Sequence, residues 1–204
     1  EISLGLVGSE MCIRDRVMSE KLKEAAKAAD IIITTGGVSV GKKDIMHESL
    51  RLMGAERIFW RVKMKPGMPT LFSAYKKTSD ITATDNCASE REIPIISLSG
   101  NPFGVAVSIE LLIRPALEKM MQDPSIGLKE VNGIMADNFE KGIKGRRFIR
   151  AYLENGKFHL PNGLHSNGVL SSMAGCNCLI DTKTMENQES RSLNAGDKVG
   201  AILL

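Results

Sequence analysis

Aromatic side chains are scarce, 4% of 204 residues with a single tryptophan. That scarcity argues against the ring platforms on which single-stranded nucleic acids stack. A net charge of only +3 adds no case for nucleic acid. No apolar run approaches the roughly 20 residues that a membrane-spanning helix needs, so no membrane partner is expected. Cysteines are also few: Cys12, Cys87, Cys176 and Cys178, of which only the last two lie close together. A Cys-x-Cys pair fits neither a disulfide framework nor the usual zinc spacing. Small buried thiols in a reducing compartment are expected instead, which points to the cytoplasm. Repeats and low-complexity tracts are missing as well.

What remains is ordinary for a globular chain, 43% hydrophobic and 25% charged, with ample length for one large domain or two small ones. Glu1 to Arg16 stands apart, because it resembles a translated sequencing-adapter read. It is expected to be foreign to the chain, the alternative being a genuine strand over Ile2 to Val7. Met18, Leu22, Ala25, Ala26 and Ala29 then recur at helical spacing. Ile31 to Thr35 reads as a buried parallel strand, followed by the glycine-rich turn Gly36 to Gly41 and a helix ended by Gly54. Ile58 to Lys65 alternates, predicting one strand with Arg61, Lys63 and Lys65 on a cationic face. Pro66-Gly67 breaks it, and Thr70 to Tyr75 predicts another strand.

Lys76 to Glu92 is a polar surface excursion or a long hairpin loop, and Ile93 to Leu98 a second buried strand. Beyond Ser99-Gly100-Asn101-Pro102 the apolar spacing predicts a helix from about Phe103 to Met121, which Pro115 should bend or stop. Strand, glycine turn and helix thus occur twice, predicting an α/β fold with a mainly parallel sheet over residues 17–122. From residue 127 to 204 short strands and tight turns predict a small all-β domain. Its clearest element is a hairpin turning at Asn155-Gly156, and Val199 to Leu204 is its last strand.

Three clusters carry candidate chemistry. Thr35 to Gly41 and Ser99 to Pro102 sit where ligands of parallel sheets bind, and glycines there let backbone N–H groups approach an anion. Each can equally be a plain tight turn, and neither is a P-loop. Asp44 either caps the following helix or holds Mg²⁺ against phosphates. The Arg61, Lys63, Lys65 face is either solvated or an oxyanion clamp before a rigid turn.

Taken in order, these motifs resemble the molybdopterin molybdenumtransferases, the enzymes related to gephyrin. Thr35 to Asp44 resembles their signature loop, Lys65-Pro66-Gly67-Met68-Pro69 their Lys-Pro-Gly-Lys-Pro element, and Ser99 to Pro102 their Pro-Gly-Asn-Pro loop. Arg114 to Leu117, Gly145 to Tyr152 and His165 to Asn177 follow the family pattern too, so the likeness runs from about Val17 to Leu204. It implies a truncated three-layer pterin-binding domain and a β-barrel C-terminal domain. The activity it implies moves molybdenum from molybdate to adenylylated molybdopterin with release of AMP.

By the same resemblance Asp44 serves Mg²⁺ or substrate phosphate, and Asp44, Lys65 and Arg61 are the catalytic positions. Thr35, Gly36, Gly37, Ser39, Gly41, Pro66, Gly67, Gly100, Asn101 and Pro102 would bind the substrate. Lys65, Pro66, Arg150, Ser171 and Ser172 would receive molybdate. A homodimer in the full-length protein and the molybdopterin adenylyltransferase are the implied protein partners. Met68 and Ser99 depart from the pattern, where lysine and proline are usual, and Arg61 stands where lysine is often found. The family's N-terminal domains are not in this sequence, so a fragment with weak activity of its own is expected. The rival readings are the adenylyltransferase itself and a gephyrin-like scaffold without catalysis.

Overall fold

The computed structural model describes residues 4–41, 44–77, 91–143, 145–162, 170–182 and 191–204. Contacts divide the chain into two compact units, Glu1–Arg61 with Pro69–Gly100, and Val62–Met68 with Asn101–Leu204.

In the first unit, helix α1 (Leu4–Ala28) leads into strand β1 (Ile32–Thr35), and α2 (Met46–Met53) leads into β2 (Glu56–Trp60). Strands β4 (Leu71–Lys77) and β5 (Arg91–Leu98) complete a four-stranded sheet of order β1-β5-β4-β2. The pair β1–β5 is parallel, while β4 runs antiparallel to both β5 and β2. The sheet is therefore mixed, and its parallel part is the pair from which both glycine loops emerge. Leu22 and Ala26 of α1 and Met46, Leu50 and Met53 of α2 bury against Ile32, Leu71, Ile93 and Ile95. Spacings of three and four residues in the helices, and of two in β5, supply the two apolar faces. Gly54 ends α2 in the left-handed conformation (φ 88°), as its position suggests.

Helix α1 extends through the adapter-like stretch, so the alternative of a strand over Ile2 to Val7 is not realised from Leu4 onward. Within that stretch Asp15 is buried, and one of its carboxylate oxygens lacks a partner among the described residues. Burying such an atom costs stability.

The second unit is built on a closed barrel. Its strands are β6 (Lys129–Met135), β8 (Arg146–Glu154), β9 (Lys157–His159), β10 (Cys178–Asp181) and β12 (Lys198–Leu203). Pairing runs β8-β10-β12-β6-β9 and returns to β8, and the short β3 (Met64–Lys65) adds to the outside of β8. A separate ribbon pairs β7 (Phe139–Ile143) with β11 (Arg191–Leu193). Alternation gives the barrel two buried faces. Ile149, Ala151, Cys178, Ile180, Val199 and Ala201 fill the interior. Phe148, Leu179 and Ile202 point outward and pack on Phe103 and Val107 of helix α3 (Pro102–Ser108). The β8–β9 hairpin turns at Asn155 and Gly156, both with positive φ (49° and 76°), as a type I′ turn demands.

Two expectations need correction. Ile58 to Lys65 is not one strand: β2 stops at Trp60, and Arg61 takes φ 73°. A tight turn follows, closed by the Val62 N–H donating to Met68 O (3.0 Å). Of the two outcomes expected at Pro115, a bend or a stop, the stop after Pro102 is not realised. A π-helical turn (Ile109–Ile113) precedes it, the Arg114 N–H reaching back to Ile109 O, and α4 (Arg114–Met121) continues. The wider turn accommodates a residue that has no N–H to give.

Candidate functional site

The first unit presents a loop held open by its own backbone. Gly36 N–H donates to Leu98 O at 2.9 Å, which ties the first glycine turn to the end of β5. Gly36 (φ 85°) and Gly37 (φ 69°) take conformations that disfavour other residues. Gly36 and Gly100 meet backbone to backbone, since a Cβ placed on Gly100 would lie 3.4 Å from Gly36 Cα. Sequence-distant glycine turns thus converge at the carboxyl ends of the parallel pair, the place where α/β sheets bind ligands.

Val38 anchors this loop in the core, 2% exposed, and the Trp60 indole N–H donates to its carbonyl at 2.9 Å. Composition alone hinted at this role only through the chain's single tryptophan, and sequence reasoning missed it. His47 packs edge-on against the same ring, and the Arg61 guanidinium lies over it at 4.2 Å. Arg61 therefore braces Trp60 and does not share a strand face with Lys63 and Lys65.

Asp44 closes the loop. Its carboxylate accepts from Gly41 N–H at 2.6 Å, and its own N–H donates to Gly41 O at 2.9 Å. It does not cap α2, whose N-terminal residue Ile45 offers no side-chain bond. Between these ties, the N–H groups of Gly37, Val38, Ser39 and Val40 have no partner among the described residues. Thr35, Ser39, Val40 and Gly41 are exposed. Unpaired N–H groups in succession make an anion-binding concavity. Lys42 and Lys43 lie outside the described residues.

The second unit gathers a different set. Asn101 caps α3, its side-chain oxygen accepting from Gly104 N–H at 3.2 Å, and Pro102 fills the first helical position. Pro66 and Gly67 are buried on that helix, and a Cβ on Gly67 would lie 2.7 Å from Ser108 Oγ. Arg150, which the resemblance implies as a molybdate ligand, is 2% exposed, its guanidinium 4.3 Å over the Phe103 ring. Burial lowers its pKa, and neighbouring Cys176 pulls the other way. Ser171 is exposed in a short 3₁₀ turn (Leu170–Met173), while the Ser172 side chain lies outside the described residues.

Arg150 and Lys65 do not share a face. Lys65 is exposed and follows Met64, which packs with Phe148 on the α3 side, so Lys65 projects oppositely. Among the described residues, no group of three or more histidine, cysteine, aspartate or glutamate side chains could hold a metal ion by itself. Nor is any described helix long and apolar enough to cross a membrane.

The thiols of Cys176 and Cys178 should behave differently. Burial pushes Cys178 up to about 12, whereas Arg150 partly offsets the burial that raises Cys176. Alkylation at pH 8 followed by peptide mapping should modify Cys176 in the folded chain and Cys178 only after unfolding. Between pH 9.0 and about 12 the unfolded Cys178 thiol ionises while the native one stays protonated. Its contribution to stability therefore falls as pH rises through that window.

Comparison with known proteins agrees with these features. Residues 12–119 match the family described as a probable molybdopterin binding domain, and residues 132–204 match the MoeA C-terminal region (domain IV). The chain therefore belongs to the molybdopterin-binding domain family, and its domain order makes it a C-terminal portion of the MoeA type. The molybdopterin molybdenumtransferase of Staphylococcus aureus (strain N315) is 31% identical over 185 residues, 89% of this chain and 40% of that protein. That of Bacillus subtilis (strain 168) is 29% identical, covering 78% of this chain and 34% of its own length. Among solved structures, the molybdopterin biosynthesis moeA protein of Pyrococcus horikoshii OT3 aligns with TM-score 0.62 at 23% identity, over 93% of this chain and 39% of that one. A molybdenum cofactor biosynthesis protein from Pyrococcus furiosus aligns with TM-score 0.62 at 19% identity, over 92% and 54%. The chain thus spans about 40% of the length of the curated relatives that are 31% identical to it.

Proposed function

We propose that this chain forms the substrate-binding and chemical part of a molybdopterin molybdenumtransferase, which moves molybdenum from molybdate to adenylylated molybdopterin and releases AMP. The observation that carries this reading is the loop Gly36 to Gly41, in which the N–H groups of residues 37–40 have no partner among the described residues, resting on Gly100 at the ends of β1 and β5. Such a loop suits the phosphates that join the pterin to AMP. Backbone donors hold them without long side chains, so little conformational freedom is lost on binding. Arg150 of the second unit supplies a buried cation for molybdate, and Ser171 an exposed hydroxyl.

Asp44 fits Mg²⁺ in a limited way. One carboxylate oxygen is occupied by Gly41 N–H, and the other has no partner among the described residues. Mg²⁺ commonly takes one or two carboxylates and completes its shell with water and substrate phosphate, so a lone Asp44 suffices. Bound there, Mg²⁺ would neutralise phosphate charge as AMP leaves. We further infer a cytoplasmic protein, dimeric at full length, that receives its substrate from the molybdopterin adenylyltransferase.

Gly100 offers the test. A methyl group there would touch Gly36 Cα at 3.4 Å, and the two further carbons of valine add bulk beside that contact. Calorimetric titration of adenylylated molybdopterin should show Gly100→Ala within a few-fold of the parent and Gly100→Val weakened by roughly a hundredfold. Equal binding by all three proteins would place the ligand elsewhere.

A further inference from the structure

Trp60 is the chain's single tryptophan, and its backbone is fixed on both sides. It closes β2 in register with Leu71 of β4. The next residue, Arg61, turns away with positive φ, and its N–H donates to Thr70 O at 2.8 Å. The ring is held as firmly. His47 of α2 meets it edge-on with ring centroids 4.8 Å apart, and the Arg61 guanidinium lies over it at 4.2 Å. A ring clamped in this way has little freedom left to lose. Its indole N–H reaches Val38 O at 2.9 Å, a residue 22 positions away in sequence.

That one bond decides which way an amide of the glycine loop points. A trans peptide is planar, so its carbonyl and the N–H that follows point in opposite directions. The peptides of residues 36–41 are trans. Two successive carbonyls of the loop are tied to the body of the unit, Gly37 O by the Met46 N–H at 3.1 Å and Val38 O by Trp60. The N–H groups of Val38 and Ser39 are therefore turned away from those anchors. Ser39 is exposed, and its N–H has no partner among the described residues. Consecutive N–H groups presented in this way suit an anion.

We propose that Trp60 is a positioning residue for the substrate loop: its indole N–H holds the Val38 carbonyl and so aims the Ser39 N–H at a bound phosphate. Trp60 acts through that peptide and not by touching the ligand, a role that rests on the function proposed above. Phenylalanine in its place keeps a ring for His47 and Arg61 but leaves the Val38 carbonyl untied. The order that the loop has before binding is then lost, and affinity falls with it.

The test compares the parent with Trp60→Phe and with the whole chain grown with benzothienylalanine, the sulfur isostere of tryptophan. With one tryptophan in the chain, that replacement is specific to position 60, and it removes the N–H while keeping the bicyclic shape. It also serves if Trp60→Phe does not fold. Calorimetric titration of adenylylated molybdopterin should show roughly tenfold weaker binding by both proteins, with the thermal midpoint of the isostere protein within a few degrees of the parent. An isostere protein that binds as the parent does overturns the proposal, since Trp60 would then only fill space. Without ligand, the amides that close the loop, those of Gly41 and Met46, should exchange with deuterium several-fold faster in both proteins. Unchanged exchange overturns the proposal whatever the titration gives. If the parent itself binds no substrate, the proposed function fails, and the exchange alone decides the role of Trp60: faster exchange supports it and unchanged exchange overturns it.

Discussion

Gly67→Ala should cost about 3 kcal/mol of stability, measured as a lowered urea midpoint with unchanged slope. Two effects combine at this position. The backbone is left-handed (φ 96°), which by itself costs an alanine roughly 1 to 2 kcal/mol. In addition the new methyl would sit 2.6 Å from Met64 Cε and 2.7 Å from Ser108 Oγ, distances that real carbon atoms do not keep. Gly54 separates the two effects, for it has φ 88° and nothing within 4 Å of an added Cβ. Gly54→Ala should therefore show only the backbone cost, about half the loss. Equal losses at the two sites would mean that the packing of Gly67 against α3 contributes nothing.

Arg150→Ala should also be strongly destabilising, by about 3 kcal/mol. The side chain is one of the largest fully buried groups and stacks on Phe103, so its removal leaves a cavity between β8 and α3. Arg150→Met fills most of that volume with a flexible apolar chain. It should recover most of the stability while losing the cation proposed to face molybdate. If Arg150→Met were as unstable as Arg150→Ala, the charge itself would hold the fold together, and its assignment to a ligand would weaken.

Much of this architecture is legible in the sequence because it rests on local patterns. The apolar run before Gly36, the helical spacing before Gly54 and the Asn155-Gly156 turn each reflect a short-range rule, and each element forms. Glycines at 36 and 100 mark close approach, although only the fold shows that they approach each other. The misreadings have physical reasons of the same kind. Ile58 to Lys65 keeps strand alternation, yet Arg61 turns with positive φ, which no local residue type signals in a non-glycine. At Pro115 the sequence leaves a bend or a stop open, because the π-helical turn that lets the helix continue is decided by packing. Arg150 lies two residues from Phe148 on the same strand face, and its burial follows from α3 lying on that face. Contacts divide the compact units at Gly100, whereas the two family matches divide the chain between residues 119 and 132, where the helical pattern gives way to strands.

The central claim is that the Gly36 to Gly41 loop binds substrate phosphate with Asp44 as the carboxylate for Mg²⁺. Titration of adenylylated molybdopterin with and without Mg²⁺, into the parent and Asp44→Asn, tests it most directly. Asparagine keeps an oxygen for Gly41 N–H, so the loop should stay closed while the charge is lost. Mg²⁺ should strengthen binding to the parent by roughly tenfold or more and have no effect on Asp44→Asn. Strengthening by Mg²⁺ that persists in Asp44→Asn, or that is missing from the parent, would contradict that claim.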